Sequence, residues 1–175
     1  MKVIFNESMY EELLLMGKLQ EEDQKEQFAT GYGRIMTDKN KNKVLCLETF
    51  EPWPEYILGS RTAGSIEQIP PESWSWLLKN MKTKMADFVI TIHTHPSGYG
   101  TNRPLNGTDK KTFIAWTDYF ANQFEIPSLI NINGTYSQNG GLKLYRYDLQ
   151  TKIFESVDGY VSKATYNEVP KKRHR

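Results

Sequence analysis

Two histidines separated by one residue, His93 and His95, follow a short apolar run at 88–92. Successive side chains of a strand point to opposite faces, so residues at i and i+2 share one face. Pro96 lacks the N–H that a sheet ladder needs, and we expect it to end the strand with both imidazoles at the carboxyl edge. Two neutral imidazoles and one carboxylate make a three-ligand zinc set with a fourth position open to water. The pattern therefore favours a catalytic metal site over a structural one.

The third ligand of such a site is expected to be a carboxylate. The chain has three histidines, and the third, His174, stands in the basic tail. The single cysteine, Cys46, excludes a cysteine-rich structural zinc site. Asp109, which follows the histidine pair along the chain, is the candidate. Aspartate is also a favoured helix N-cap residue, and Asp109 can be a metal ligand and an N-cap at once. Because H-x-H is a short motif, the alternative is a strand end whose histidines only hydrogen-bond to loop backbone.

The composition is that of an ordinary globular protein, with 38% hydrophobic, 13% aromatic and 25% charged residues among 175. This length suits one well-cored domain and is too short for two large ones. A formal net charge of +1 gives no electrostatic basis for binding nucleic acid or a membrane surface. No apolar run reaches membrane-spanning length, and one cysteine cannot form an intramolecular disulfide. We therefore expect a cytoplasmic protein without a membrane partner.

Hydrophobic periodicity predicts three helices. They cover residues 6–24, a segment that starts at 70–71 and carries an apolar stripe to Met85, and a segment that opens at Asp109 with Phe113, Trp116, Phe120 and Phe124 on its buried face. Strands are predicted at 28–36, 44–50, 56–58, 88–92, 128–133, 142–147 and 153–157. This order predicts a single α+β domain at 1–157, three-layer-like, with a mixed sheet flanked by helices. A C-terminal extension with a basic tail follows at 158–175.

A zinc site at a strand end needs a base that takes a proton from water and later delivers it to the leaving group. Glu26 is the candidate, because it stands at the entrance of the glycine-bearing strand 28–36. Four glutamates of the first predicted helix compete with it, although solvated glutamates are usual on such a helix: Glu11, Glu12, Glu21 and Glu22. Composition and spacing alone do not separate these candidates.

The segment HTHPSG at 93–98, continued by NRPLNGTD at 102–109, resembles the JAMM motif of the JAB/MPN metalloprotease family. That family shows H-[S/T]-H-P, a loop that often contains proline, then S-x-x-D, and a glutamate far upstream in the pattern E-x-x-x-x-x-x-G. The segment from Glu26 to Gly33 has this spacing, whereas Glu11 and Glu12 stand too close to Gly17. The resemblance extends over most of residues 2–150 and implies a JAB/MPN-like, cytidine-deaminase-like architecture.

The resemblance also implies a role for each residue of the site. His93, His95 and Asp109 would bind Zn²⁺, and Glu26 would be the general acid and base. Asn106 occupies the position of the family's serine, and its amide can donate a hydrogen bond to the oxyanion of a tetrahedral intermediate. The chain departs from the family pattern in this asparagine and in a longer loop before Asp109.

By this resemblance, the expected function is zinc-dependent hydrolysis of a peptide or isopeptide bond. The expected partner is a protein or peptide substrate, including the tail of a ubiquitin-like protein, with the irregular segments 51–69 and 97–108 as cleft walls. The alternative is a non-catalytic scaffold of the same family that binds partners without metal. A metal-dependent phosphoesterase of the barrel type is disfavoured, because such barrels need about 250 residues.

Overall fold

The computed structural model describes residues 1–58, 79, 85–97, 107–123 and 129–162. The helices with described bounds are α1 (Glu7–Asp23), α2 (Glu55–Leu58) and α3 (Gly107–Gln123). The strands are β1 (Lys2–Asn6), β2 (Phe28–Thr37), β3 (Lys43–Pro52), β4 (Phe88–Thr94), β5 (Ile130–Ser137), β6 (Gly141–Asp148) and β7 (Ile153–Ser162).

The seven strands form one sheet that closes into a barrel in the order β1-β3-β2-β4-β5-β6-β7. β1 pairs in parallel with β3 on one side and with β7 on the other, and this double pairing closes the sheet. β4 and β5 are also parallel, and the remaining neighbours are antiparallel. The central strand β4 lies between β2 and β5, so its residues are held from both sides.

The predicted three-layer-like α+β architecture of JAB/MPN (cytidine-deaminase-like) type is wrong. The described residues form a closed seven-stranded barrel with two long helices rather than an open sheet between helical layers. The closure depends on the pairing of Lys2–Asn6 with residues 158–162 at the other end of the chain. Local hydrophobic periodicity carries no information on such a distant partner, so it predicted six of the seven strands but neither β1 nor the closure of the sheet.

Most predicted elements within the described residues agree with the structure in type, although β1 was not predicted and the helix expected to open at Asp109 begins at Gly107. The helix predicted at 6–24 is confirmed as α1, and the Asn6 side chain caps it by accepting a hydrogen bond from the Met9 N–H at 2.9 Å. The strand predicted at 56–58 is wrong, because these residues belong to α2. β7 continues past residue 157 to Ser162, so the first residues assigned to the extension belong to the sheet. The helix predicted from 70–71, apart from residues 79 and 85, and Phe124 lie outside the described residues.

The two faces of the sheet carry separate hydrophobic clusters. All seven strands and α1 contribute to the cluster on the inner face, where β4 supplies Phe88, Ile90 and Ile92. The cluster on the outer face joins β2, β4 and α2 to α3. α1 and α3 therefore pack on opposite faces of β4, and His93 shares the outer face with Val89 because alternate residues point the same way.

The glycines of β2 allow close packing of the neighbouring strands. A Cβ atom at Gly33 would lie 2.0 Å from the Cys46 carbonyl oxygen and 2.6 Å from the Phe88 ring. The β2–β3 register shifts between Tyr32 and Gly33, so β2 has a bulge or irregularity at this point. Cys46 is buried in β3. No helix among the described residues combines the length and the hydrophobicity needed to cross a membrane.

Candidate metal centre

The end of β4 brings the two histidines together on the outer face. His93 is within the strand, and His95 follows its last residue. The His95 backbone N–H donates to the Tyr136 carbonyl oxygen at 2.7 Å, so pairing with β5 continues past the end of β4 and keeps His95 extended. As a result both rings point to the same side, with their Nε2 atoms 2.9 Å apart.

Asp109 reaches the histidines from the first turn of α3. It is buried, as are Phe113, Trp116 and Phe120, and this spacing puts all four on one face of the helix. Packing of that face against the sheet brings Asp109 Oδ1 to 3.2 Å from His93 Nε2. The other carboxylate oxygen, Oδ2, lies 3.6 Å from His95 Nε2.

Aromatic side chains under α3 fix the position of the helix on the sheet. The Phe28 ring stacks on the Trp116 ring with centroids 5.5 Å apart, and Trp53 meets both rings at steep angles. The Phe113 ring lies edge-on to the His93 imidazole, with centroids 5.8 Å apart. These contacts couple the docking of α3 to the position of Asp109.

Glu26 enters the site from the connection between α1 and β2. Gln24 ends α1 in the left-handed conformation, with φ 53°, and turns the chain toward β2. Phe28 pairs with His93, and continuing this antiparallel register by two residues sets Glu26 opposite His95. A carboxylate oxygen of Glu26 and a ring nitrogen of each histidine all lie within 4.8 Å of one another.

The donor set fits a zinc ion. Nitrogen and oxygen ligands at 2.0–2.1 Å from a tetrahedral ion lie about 3.3 Å from one another. The distances among the two Nε2 atoms and the Asp109 oxygens are 2.9, 3.2 and 3.6 Å, which bracket that value. Two imidazole nitrogens this close cannot both direct bare lone pairs at each other, so a proton or a cation must lie between them.

Burial sets the protonation states that a metal requires. Burial lowers the pKa of His93, despite the opposing effect of Asp109, and so favours the neutral imidazole. Burial alone would raise the pKa of Asp109, but hydrogen bonds from His93 and His95 outweigh it and keep that pKa well below its ordinary value. A neutral imidazole still donates one N–H, so this hydrogen bonding persists without a charged histidine. Neutral histidine and ionised aspartate are the forms that bind zinc.

Four of the five predicted site residues converge. Glu26, His93, His95 and Asp109 lie on one side of the sheet. Three are buried, with exposed fractions of 5% for Glu26, 8% for His93 and 7% for Asp109, and His95 is half-buried. Asn106 lies outside the described residues. Of the competing glutamates, Glu21 accepts a hydrogen bond from the Ser97 N–H at 2.6 Å. The other three are exposed on α1: Glu11, Glu12 and Glu22. The roles of the converging residues as ligands and base stay predictions.

Two residues beside the site were missed by the sequence argument. The Thr94 hydroxyl donates to Gln20 Oε1 at 2.7 Å and accepts from the Gln27 N–H at 2.8 Å. A signal for Gln20 exists, because it continues the apolar spacing of Leu13 and Met16 along α1 and is a polar residue where a hydrophobic one is expected. A polar side chain in such a stripe indicates a buried partner.

A buried polar cluster lies behind the histidines on the outer face. The Thr91 hydroxyl donates to Asn133 Oδ1 at 2.7 Å, and Asn133 Nδ2 donates to Asn131 Oδ1 at 2.6 Å. The Thr117 hydroxyl of α3 donates to the same Asn131 oxygen at 3.0 Å. The cluster therefore joins β4, β5 and α3 directly beneath the site.

Comparison with known families and curated proteins does not identify a function for this chain. No protein-family model matches the chain, and no curated protein does. A solution structure of protein DSY2949 from Desulfitobacterium hafniense is similar, with a TM-score of 0.48 and 14% identity over 96% of this chain and 97% of that one. At this level the likeness carries no argument about fold or function.

Proposed function

We propose that this protein is a zinc-dependent hydrolase of peptide or isopeptide bonds. The observation that supports this most strongly is the convergence of Glu26 with His93, His95 and Asp109. These residues come from three separate parts of the chain and meet in one largely buried cluster. The resemblance of the HTHP segment to the JAMM motif also supports the proposal. This resemblance is one of local sequence and does not depend on the predicted layered fold.

His93, His95 and Asp109 are the proposed zinc ligands, since their facing atoms have the types and spacing of a three-ligand set. Bound there, zinc would supply a Lewis acid that lowers the pKa of water toward neutrality and polarises a carbonyl group. Burial supports the proposal, because it excludes bulk water and strengthens the electrostatic interactions inside the site.

Glu26 is the proposed proton carrier. A water oxygen bonds to the carbonyl carbon of the scissile bond while the Glu26 carboxylate accepts one proton from that water. The C–N bond then breaks, and Glu26 returns the proton to the leaving nitrogen, which gives a carboxylic acid and an amine. The Glu26 oxygen lies within 4.8 Å of a ring nitrogen of each histidine, a distance that one bridging water molecule can span. Asn106 is the proposed oxyanion donor.

The proposed substrate is a protein or peptide tail, and a ubiquitin-like protein is one member of that class. The single cysteine is buried and can form no disulfide within the chain, which suits a protein of the reducing cytoplasm. A scaffold that only binds partners would gain nothing from three buried titratable groups and a half-buried one in a single cluster, because burying such groups costs free energy unless they are paired or hold a metal.

The test compares zinc-loaded wild type with Glu26→Gln. Two probes cover the two bond types: peptides from a digested proteome, read by mass spectrometry, and lysine-linked diubiquitin. Wild type should cleave at least one probe, and Glu26→Gln should keep its zinc and lose about 10²–10⁴-fold in rate. Glu22→Gln, an exposed glutamate of α1, is the matched control and should behave as wild type.

Two outcomes would contradict the proposal. If zinc-loaded wild type cleaves neither probe, the hydrolase proposal is wrong. If Glu26→Gln retains the full rate of wild type, the reaction uses another base.

A further inference from the structure

Thr94 lies between the two histidines in sequence but on the other face of the sheet. His93 and His95 point to the outer face, and alternation directs the intervening side chain inward. Thr94 has 0% exposure. Its side chain therefore has no direct access to a metal or substrate held by the histidines, and any influence on the site must act through other residues.

Thr94 holds the residue next to Glu26 by two hydrogen bonds. The Thr94 N–H donates to the Gln27 carbonyl oxygen at 2.9 Å. The Gln27 N–H donates to the Thr94 hydroxyl at 2.8 Å. Both polar groups of the Gln27 backbone are thus bonded to one residue of β4, and Glu26 is the adjacent residue along the chain, about 3.8 Å away between Cα atoms.

Gln20 completes the arrangement from α1. Its side chain has 1% exposure, and its Oε1 accepts the Thr94 hydroxyl proton at 2.7 Å. Because that hydroxyl donates to Gln20, its lone pairs are free to accept from Gln27. One hydroxyl group therefore joins the end of α1, the segment that carries Glu26, and the strand that carries the histidines.

We propose that Thr94, oriented by Gln20, is a positioning residue that fixes the Glu26 carboxylate relative to the histidine pair. This inference rests on the proposed function. Removal of the hydroxyl leaves the Gln27 N–H without its partner, so one hydrogen bond instead of two joins Thr94 to the residue beside Glu26. Glu26 is then held less firmly relative to the site, while the backbones of His93 and His95 stay paired with β5.

The test uses cobalt(II) as a probe of the site in Thr94→Val, Thr94→Ser, Glu26→Gln and wild type. Wild type should bind one cobalt ion per chain, and its visible absorption should change with pH around a midpoint. Glu26→Gln should move that midpoint by about one pH unit or more, because a nearby charge is removed. Thr94→Val should keep cobalt and move the midpoint in the same direction, and Thr94→Ser should restore the wild-type value.

Turnover of the probe cleaved by wild type gives a second readout. Thr94→Val should lower kcat by at least tenfold and up to about 10²-fold with KM unchanged, as expected for a displaced catalytic group. Thr49→Val is the control, because it removes a buried hydroxyl of β3 that has no hydrogen-bond partner among the described residues. It should keep both the midpoint and kcat within about twofold of wild type.

The outcomes separate this inference from the proposed function. If wild type binds no cobalt, the proposed metal site is wrong and the positioning role falls with it. If cobalt binds and Glu26→Gln moves the midpoint but Thr94→Val does not, only the positioning role is wrong. If Thr94→Val does not fold, Gln20→Met replaces it in the test. This variant removes the acceptor of the Thr94 hydroxyl at similar side-chain volume. It should shift the pH midpoint of the cobalt absorption in the same direction by a smaller amount.

Discussion

The Nε2 atoms of His93 and His95 face each other at 2.9 Å, and the Asp109 carboxylate lies beside both. Without a metal, one proton must be shared within this group, since neither lone pair can be left facing the other. A divalent cation satisfies all three acceptors at once. The group therefore has the arrangement that the proposed zinc site needs.

The first prediction concerns Asp109→Asn. Wild type should bind one zinc ion per chain, and the variant should lose at least about 100-fold in affinity, because it removes a ligand and even outer-shell changes cost 10–100-fold. Competition with a chromophoric chelator measures the affinity. Asp118→Asn, an exposed aspartate on the same helix, is the control and should bind as wild type. Equal affinity in both variants would exclude Asp109 as a ligand.

The second prediction concerns the pH dependence of the metal-free protein. Burial lowers the pKa of His93 from the ordinary value of 6.5, so the unfolded chain binds a proton in the range where the folded chain does not. The free energy of unfolding should therefore fall as the pH drops below about 6.5, by up to about 1.4 kcal/mol per pH unit for one proton. Asp109, whose pKa is also lowered, loses its contribution only as the pH falls below 3.8.

Urea unfolding of chelator-treated protein between pH 7.5 and 5 measures this dependence. His93→Gln should flatten the curve in that interval, because the buried group that resists protonation is gone. The carboxyl groups near the His93 ring are those of Asp109 and Glu26, and the facing imidazole is His95. The variants Asp109→Asn, Glu26→Gln and His95→Gln therefore belong in the same series. A slope in His93→Gln equal to that of wild type would exclude His93 as the source.

The elements of the site were predictable from local sequence, because strand alternation and helical periodicity are local properties. Alternation around His93 and His95 indicated one shared face, and the apolar stripe that begins at Phe113 indicated the buried face of α3. The spacing from Glu26 to Gly33 in the family pattern selected one glutamate among five. These patterns specify which residues point the same way.

Which segments that are distant in sequence pair or contact one another was not predictable from local patterns. Nothing in the β1 sequence indicates that it pairs with both β3 and β7, and the barrel closure follows from that pairing. The apolar residues at 56–58 fit a strand pattern as well as a helix, and only their context decides for α2. The link from Gln20 through Thr94 to Gln27 likewise exists only when three segments are assembled.

The third prediction concerns Gly33→Ala in β2. The added Cβ would lie 2.0 Å from the Cys46 carbonyl oxygen, which belongs to the paired backbone of β3 and has no rotamer to escape to. We expect the free energy of unfolding to fall by about 1–3 kcal/mol or more. Gly107→Ala is the control, because a Cβ there has no neighbour within 4 Å among the described residues, and it should change stability by less than about 0.5 kcal/mol. Equal losses in the two variants would contradict the close strand approach.

The last prediction concerns Trp116, which joins α3 to the sheet. Its ring stacks on Phe28 and contacts Trp53, and the same helix face carries Asp109. Trp116→Leu should reduce stability by less than the roughly 3–5 kcal/mol of truncation to alanine. It should also weaken zinc binding, because a helix that docks less firmly holds Asp109 less firmly beside His93.

Zinc competition and urea unfolding on the same samples separate these two effects. Ile114→Ala, on the exposed side of α3, should leave both nearly unchanged. If Trp116→Leu loses stability but binds zinc as tightly as wild type, the position of Asp109 does not depend on this aromatic contact. The buried cluster of Asn131, Asn133 and Thr117 would then be the stronger anchor of α3, since it joins the helix to β5 beneath the same site.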